Sequence, residues 1–225
     1  TITDVNEAPI INSSAIFNVN ENQPNVGSID ASDQDGDSLI YSILSNDLSI
    51  SSGGVITFNS TPNFEIKNSY EATVRVGDGQ LLVSQGITVN ILDVNDSPSI
   101  ASSSNISVNE NDSTIGDINA SDEDGDALTY SIIGGSDSSA ISISQSGILT
   151  FNNSPNYESP ADNNGDNLYL ITVKVSDGNA EWSGSFNISV ADINEAPTIN
   201  SNFPSNFQVD ENSTTTTYAQ STACT

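Results

Sequence analysis

The sequence predicts an all-β protein built from tandem β-sandwiches, because it contains a long internal repeat and its apolar residues alternate with a period of two. A chain of 225 residues has room for one large or two ordinary domains. The segment DVNDSP at 93–98 has near copies at 4–9 and 192–197, at offsets of 89 and 99 residues. Repeats of this length favour two similar domains followed by the start of a third.

Further acidic motifs recur in the same order in both repeats. They are Val-Asn-Glu-Asn at 19–22 and 108–111, Asp-x-Asp-Gly at 33–36 and 122–125, Asn-Phe/Tyr-Glu at 63–65 and 156–158, and Val-x-Asp-Gly at 76–79 and 175–178. Compositional bias would not preserve that order. We therefore predict a linker from a preceding repeat at 1–7, repeat one at 8–95, repeat two at 96–195, and a truncated start of repeat three at 196–225, disordered from about Thr214.

Strands are predicted between the motifs, because alternate residues there are apolar, as in Tyr169, Ile171, Val173 and Val175. Turn residues recur every 8 to 12 positions, roughly as in β-sandwiches. About seven short strands per repeat are expected to form two packed antiparallel sheets with Greek-key connections. The insert at 159–167 in repeat two is expected to be a surface loop. The aromatic residues predicted to lie in the core are Phe58, Phe64, Tyr70, Phe151, Tyr157 and Tyr169.

The net charge of the chain limits the classes of partner that it is expected to bind. Three Lys and Arg residues face 30 Asp and Glu residues, for a formal net charge of −27. This balance argues against nucleic acid and anionic membranes, and it suits divalent cations. Zinc is disfavoured because there is no His and only one Cys, whereas calcium binds the carboxylate, amide and carbonyl oxygens that the chain offers. No apolar run approaches the roughly 18 residues of a membrane span, so direct membrane insertion is not expected.

With these motifs, each repeat resembles a cadherin repeat of the type found in bacterial surface proteins. Val-Asn-Glu-Asn is similar to the first-strand glutamate motif of that family, Asn-Phe/Tyr-Glu to its Asp-x-Glu motif, and the segment 93–96 to its linker motif. Asp-x-Asp-Gly matches its paired aspartates, and the Asp-Gly at 177–178 its late single aspartate. The resemblance covers nearly the whole chain. It implies cadherin/Ig-like sandwiches of seven strands arranged end to end, with calcium bound at each junction.

The resemblance also implies one complete set of calcium ligands and two half sets. The complete set is Glu21, Glu65, the backbone carbonyls near Val94 and Ser97, Asn95, Asp96, Asp122, Asp124 and Asp177, with Asp93 beside it as a supporting residue. The half sets are Asn6, Glu7, Asp33, Asp35 and Asp78, and Glu110, Glu158, Asn194 and Glu195. Because the carboxylates of the complete set would repel one another, we expect the linker to bend without calcium and to stiffen with it.

Three departures from the family pattern bear on the number of ions and their affinity. The linker is one residue shorter before Pro98 than the family's usual linker. Asn63 and Asn156 stand where the family has an aspartate, and the linker acid is Glu7 or Glu195 in the outer copies. Asparagine can still offer an oxygen, but the site loses a charge.

The predicted function is that of a calcium-rigidified, extracellular repeat module of a bacterial surface or secreted protein, serving adhesion or the spacing of other domains. An enzyme is not expected, since His is absent and no Ser or Cys has a visible base. The alternative is a carbohydrate-binding module of an extracellular polysaccharide-degrading enzyme, for which Trp182 is the aromatic candidate. The partner stays open between a polysaccharide, another cell-surface protein and a second copy of this chain.

Overall fold

The computed structural model describes residues 5–196, which belong to two all-β units that divide between Asp96 and Ser97. Residues 1–4 of the predicted first linker lie outside the described residues. The predicted start of a third repeat also lies outside them except for Ala196, and so does the expectation of disorder from Thr214. The units are described one at a time.

In its described part, the first unit contains two main sheets. Its strands are β1 (Ile10–Ile11), β2 (Ile16–Asn20), β3 (Asn25–Ser28), β4 (Ala31–Ser32), β5 (Ile40–Leu44), β6 (Leu48–Ile50), β7 (Val55–Phe58), β8 (Ser69–Gly77) and β9 (Leu82–Leu92). One sheet has the order β2-β9-β8-β5 and the other the order β3-β7-β6, while β1 pairs with β4. The seven longer strands thus form the predicted sandwich.

The second unit repeats this arrangement strand for strand. Its strands are β10 (Ser99–Ile100), β11 (Asn105–Asn109), β12 (Thr114–Asp117), β13 (Ala120–Ser121), β14 (Thr129–Gly134), β15 (Ile141–Ile143), β16 (Ile148–Phe151), β17 (Leu168–Ser176) and β18 (Glu181–Ala191). The sheets have the orders β11-β18-β17-β14 and β12-β16-β15, with β10 paired to β13.

Each unit contains a parallel strand pair, so the prediction of purely antiparallel sheets is wrong. β2 runs parallel to β9, with Asn20 opposite Leu92. β11 runs parallel to β18, with Asn109 opposite Ala191. The first long strand and the last strand of each repeat therefore end side by side. Alternation of apolar residues shows which face a side chain occupies, but it does not report strand direction.

The core follows the predicted alternation. Tyr169, Ile171, Val173 and Val175 are all buried in the second unit. Among the aromatic residues predicted for the core, Phe58, Phe151 and Tyr169 are buried, and Phe64 and Tyr70 pack against the core of the first unit.

Tyr157 is the exception, because its side chain is 39% exposed. It lies on the turn of the Asn-Tyr-Glu motif, where its backbone N–H is bonded to the Glu110 carboxylate. At this position the backbone, and not the ring, makes the structural contact.

The insert at 159–167 is a loop, as predicted, and two buried acids hold it in place. Asp137 is 4% exposed and accepts the backbone N–H groups of Asn163 and Leu170. Asp162 accepts the N–H groups of Asp166 and Asn167. Burial tends to raise the pKa of Asp162, but these backbone donors outweigh it and the pKa is lowered. The two acids therefore already have structural partners.

Candidate metal centre

A buried glutamate organises the lower end of each repeat. Glu21 directly follows β2 and is 1% exposed, and its carboxylate accepts the N–H groups of Phe64 (2.8 Å) and Val94 (2.9 Å). Since β2 and β9 are parallel and in register, Glu21 lies beside the first residues of the linker that follows β9. One side chain therefore connects the first strand, the Asn-Phe-Glu turn and the linker.

Glu110 makes the same connections in the second unit. It is 1% exposed and accepts the N–H groups of Tyr157 (2.9 Å) and Ile193 (2.8 Å). A carboxylate has about four lone-pair sites, so both glutamates keep acceptor capacity after these bonds. That remaining capacity is available to a cation.

Further carboxylates gather around each buried glutamate. One carboxylate oxygen from each of Glu21, Glu65 and Asp93 lies within 4.8 Å of the others. In the second unit, the equivalent residues Glu110, Glu158 and Asp192 are joined by Glu195 within the same distance. We call these sets the lower carboxylate clusters. Two like charges about 5 Å apart repel by about 3 kcal/mol at an effective dielectric near 20, so each cluster favours a cation.

The turn that presents the second glutamate is closed by asparagine. The Asn63 Oδ1 atom accepts the N–H of Ile66 at 2.9 Å, and the Asn156 Oδ1 atom accepts the N–H of Ser159 at 2.7 Å. Such side-chain-to-backbone bonds are typical of Asn in tight turns. The asparagine of the Asn-x-Glu motif therefore has a local structural role in both repeats.

The linker acids take equivalent positions in the two repeats. Asn22 Nδ2 donates to an Asp96 carboxylate oxygen at 3.2 Å, and Asn111 Nδ2 donates to Glu195 at 3.4 Å. The final asparagine of each Val-Asn-Glu-Asn motif therefore orients the linker acid.

The remaining linker residues predicted as ligands are accessible. Asn95 Nδ2 donates to the Asp96 carbonyl at 2.8 Å. Val94 uses its N–H on Glu21, as described above. Val94, Ser97 and Asn194 are exposed.

The charges of the second lower cluster perturb one another. Partial desolvation beside the cluster, followed by the nearby Glu110 and Glu158 carboxylates, raises the pKa of the exposed Glu195. The backbone N–H groups of Ile193 and Tyr157 lower the pKa of Glu110. Glu110 is thus held as an anion by hydrogen bonds, whereas the charge on Glu195 is opposed by its neighbours.

We expect Glu195→Gln to raise the thermal midpoint of the chelator-treated protein at pH 7 by a small, measurable amount. The folded-state pKa of Glu195 is raised, so its charge lowers stability once the pH exceeds that pKa. Below about 4.5, the ordinary value, Glu195 is neutral in both states and the advantage of the variant should disappear. Thermal melts of both proteins between pH 3 and 7 measure this.

The control is Glu181→Gln, whose exposed carboxylate pairs with Lys174 in the same unit. It should not stabilise the protein at any pH, because it removes an attraction. A wild-type midpoint at pH 7 equal to that of Glu195→Gln would contradict the repulsion argument.

The upper end of the first repeat gathers the N-terminal half set. β5 begins opposite the end of β8, with Ile40 facing Gly77, so the loop carrying Asp33 and Asp35 lies at the same end as Asp78. Asp78 accepts the side-chain amide of Asn6 at 2.9 Å, and Asp35 accepts the N–H of Glu7 at 2.8 Å.

The backbone N–H of Leu81, followed by the amide of Asn6 and the N–H of Gln80, lowers the pKa of Asp78. All five residues predicted for this half set thus take part in hydrogen bonds at this end of the sandwich, through a side chain or the backbone. Asp33 takes part through its Oδ1 atom, which accepts the N–H groups of Asp35 and Asp37.

The upper end of the second repeat is built in the same way. Asp177 follows β17 and accepts the N–H groups of Asn179 and Ala180, each at 2.6 Å. Asp122 Oδ1 accepts the N–H of Asp126 at 3.2 Å, and Asp124 is half-buried in the same loop. β14 begins opposite the end of β17, so these acids share one end of the sandwich.

Two carboxylate oxygens at the upper ends support a fit to calcium. Within residues 5–196, Asp33 Oδ2 and Asp122 Oδ2 are buried and have no hydrogen-bond partner. A buried anionic oxygen without a donor is costly unless a cation lies against it. The donor set consists of carboxylates, amides and carbonyls, which are the ligands of calcium.

The sequence interpretation did not name Asp192 as a site residue, and it placed Asp93 beside the ligands as a supporting residue. The structure places both in the lower carboxylate clusters. The parallel pairing of the first and last strands explains this position, because each aspartate is the first residue after the last strand of its repeat. Its place at the start of the repeated linker motif was a signal in the sequence.

The profile of the bacterial Ig domain family matches residues 6–91 and 95–191. The chain therefore belongs to this family and carries two tandem domains. A crystal form of human protocadherin-24 EC1-2 is 23% identical, with a TM-score of 0.55, over 84% of this chain and 100% of that one. Drosophila N-cadherin EC1-4 is 17% identical, with a TM-score of 0.54, over 83% and 50% respectively. These similarities confirm the predicted cadherin-like fold.

A further relative is Chitinase A of Pseudoalteromonas piscicida, which is 32% identical over 197 residues. The match covers 86% of this chain but 23% of that protein. The chain therefore corresponds to less than a quarter of the length of this relative.

Within the described residues there is no helix long and apolar enough to cross a membrane.

Proposed function

We propose that this protein is a calcium-binding, non-catalytic repeat module of a bacterial surface or secreted protein, located outside the cell. The observation that carries the proposal is the lower carboxylate cluster, which occurs at equivalent positions in both repeats. Two repeats that independently gather at least two further carboxylates around a buried glutamate favour a shared ligand over chance clustering. The cadherin-like fold and the excess of acids over bases agree with calcium as that ligand.

The proposed junction site combines ligands from the lower end of repeat one, the linker and the upper end of repeat two. Its residues are Glu21, Glu65, Asn95, Asp96, Asp122, Asp124 and Asp177, with the carbonyls of Val94 and Ser97. When bound, calcium supplies positive charge that offsets the repulsion among these acids. Glu21 orients the linker through the N–H of Val94, and the backbone bonds to Asp177 and Asp122 hold their carboxylates in place.

Calcium would thereby convert a flexible pair of repeats into a stiff spacer. A stiff array of repeats extends the reach of whatever it carries, which suits adhesion or the spacing of other domains. The proposed partners, besides calcium, are a polysaccharide, another cell-surface protein or a second copy of this chain.

A second candidate function is a carbohydrate-binding module of a polysaccharide-degrading enzyme, and the relative named Chitinase A favours it. Trp182, the aromatic candidate for a glycan contact, packs partly buried against the core of the second unit and lies at 6.4 Å from the Phe186 ring. This packing favours a spacer role. Retention on chitin and cellulose affinity gels, in calcium and in chelator, separates the two functions.

Small-angle X-ray scattering tests the spacer role on the 225-residue chain. In calcium, the wild type should show a larger maximum dimension and a narrower distance distribution than in chelator. Asp124→Ala should remain in the chelator-like state at the same calcium concentration. Glu181→Ala, an exposed acid of the same unit that pairs with Lys174, should behave like the wild type. Identical wild-type profiles with and without calcium would refute the proposal.

A further inference from the structure

We infer that the outer face of the four-stranded sheet of repeat one is an interface for a second copy of this chain. This face is the side of the sheet β2-β9-β8-β5 that carries Glu71 and Arg75, and we call it the repeat-one face. It contains none of the proposed calcium ligands. The inference deepens the proposed function, because it names one of the proposed partners and the surface that binds it.

The first argument is that this face carries two charges without partners. Arg75 is the one arginine of a chain with 30 acidic residues, yet it forms no salt bridge in the described part of the chain. Its Nε atom is buried and has no hydrogen-bond partner. Glu71 lies four residues earlier on the same face of β8 and is exposed. A buried donor without an acceptor is costly, so Arg75 favours a carboxylate from another molecule.

The second argument is the difference between the two repeats. In repeat two, Lys174 takes the position of Arg75, and its Nζ atom pairs with Glu181 at 2.8 Å. By the same strand register, Leu82 takes the position of Glu181 in repeat one, and this leucine is 60% exposed. Repeat one therefore has an exposed apolar side chain where repeat two has the acid that neutralises the base. Arginine beside exposed apolar groups is typical of protein interfaces.

Further apolar side chains lie around Arg75. Ile40 and Leu44 of β5 are 63% and 52% exposed, and Ile40 lies opposite Gly77. The Leu82 Cδ1 atom is 3.2 Å from the point that a Cβ at Gly77 would occupy, so Leu82 lies over this glycine. Once a second molecule covers these groups, they exclude water from the Arg75 ion pair.

The third argument is symmetry. Thr73 lies midway between Glu71 and Arg75 on β8, with Leu44 and Gly86 opposite it on the neighbouring strands. A two-fold axis that runs between two such faces, across the strands at Thr73, brings each Arg75 over Glu71 of the second copy. The same axis brings the two Leu44 side chains together, and Gly86 has no side chain to hold the sheets apart. A two-fold interface requires this kind of self-complementary surface.

The size of the repeat-one face predicts weak and reversible association. A face four strands wide, at about 4.8 Å per strand and about 30 Å along β8, covers roughly 600 Å² per copy. Two copies together would bury about 1,200 Å², which is the lower limit of stable specific interfaces. The formal charge of −27 on each copy also opposes association.

Sedimentation velocity of the full chain over a concentration series, in calcium and in chelator, tests the inference. Arg75→Glu and Glu71→Arg each place like charges opposite one another, so each should weaken self-association at least tenfold in both conditions. The controls are Lys67→Glu and Asp47→Arg, which make the same changes of charge at an exposed pair outside the strands of this face. They should stay within twofold of the wild type. Unfolding midpoints near the wild-type value check that all four variants are folded.

A mixture of the two interface variants separates direct contact from a general effect of charge. When Arg75→Glu is mixed with Glu71→Arg, every acid of one copy faces a base of the other. The mixture should therefore associate like the wild type, although neither variant does so alone.

Three results would overturn the inference: a wild type that stays monomeric at the highest concentration, single variants that associate like the wild type, or a mixture that does not associate. Retention of a monomeric wild type on a carboxylated polysaccharide gel, lost in Arg75→Glu, would also overturn it and assign the face to a glycan. Failure of the wild type to bind calcium would overturn the calcium proposal alone, because this face contains no proposed ligand.

Discussion

Glu21→Ala is expected to destabilise the first repeat by about 3 kcal/mol in calcium-free buffer. The Glu21 carboxylate is 1% exposed and accepts the N–H groups of Phe64 and Val94. Alanine leaves both donors without their acceptor, and each unsatisfied buried N–H costs about 1–3 kcal/mol. It also removes packing volume between the turn and the linker. Urea unfolding in chelator measures the change free of any effect on calcium binding.

Two further variants serve as controls for the stability measurement on Glu21→Ala. Asp47→Ala removes an exposed carboxylate of the same repeat that pairs with Lys67, and should cost less than about 1 kcal/mol. Glu21→Gln keeps one acceptor oxygen but turns an NH₂ group toward a backbone donor, so its loss should lie between the other two. Equal stabilities of Glu21→Ala and Asp47→Ala would mean that Glu21 does not anchor the linker.

The fold could be predicted from the sequence because the alternation of apolar residues is visible within each strand and recurs in both repeats. Alternation in Tyr169, Ile171, Val173 and Val175 reports a buried face directly, and those residues are buried. The direction of β2 could not be read in this way, since a strand buries the same residues whether it runs parallel or antiparallel to β9. Tyr157 was assigned to the core by residue type, but its place on the turn leaves it 39% exposed.

The candidate site could be predicted only in part, because sequence motifs do not report how the strands pair. Motif order was enough to single out Glu21, Glu65, Glu110 and Glu158, and the structure places each in a lower carboxylate cluster. The proximity of Asp192 depends on the register between β11 and β18, which a linear motif does not contain. The buried state of Glu21 and Glu110 was not predicted either, because charged residues are rarely buried unless specific donors compensate them. The donors that compensate Glu21 and Glu110 are backbone N–H groups. Every residue type except proline carries this group, so no residue in the sequence marks these donors.

Calcium is expected to raise the thermal midpoint of the wild-type chain by about 10 °C or more when its concentration is a hundredfold above the dissociation constant. A cation that binds only the folded state stabilises it by about 2.7 kcal/mol under that condition, and this corresponds to roughly 10–20 °C for a domain of this size. Each further tenfold rise in free calcium should add about 1.4 kcal/mol per bound ion. Differential scanning calorimetry over a calcium series measures both the shift and its slope.

Magnesium and sodium distinguish ligation from general screening. Sodium chloride at matched ionic strength weakens the repulsion expected from a formal charge of −27, so part of the stabilisation should appear with it. Magnesium requires near-ideal octahedral geometry and releases its waters reluctantly, so it should shift the midpoint less than calcium at equal concentration. If the three salts were equivalent at equal ionic strength, the acids would act only as a diffuse surface charge. A calcium-specific shift that is reduced in Glu65→Gln and preserved in Asp47→Asn would instead locate the effect at the lower cluster, because the two substitutions remove the same formal charge from the same repeat.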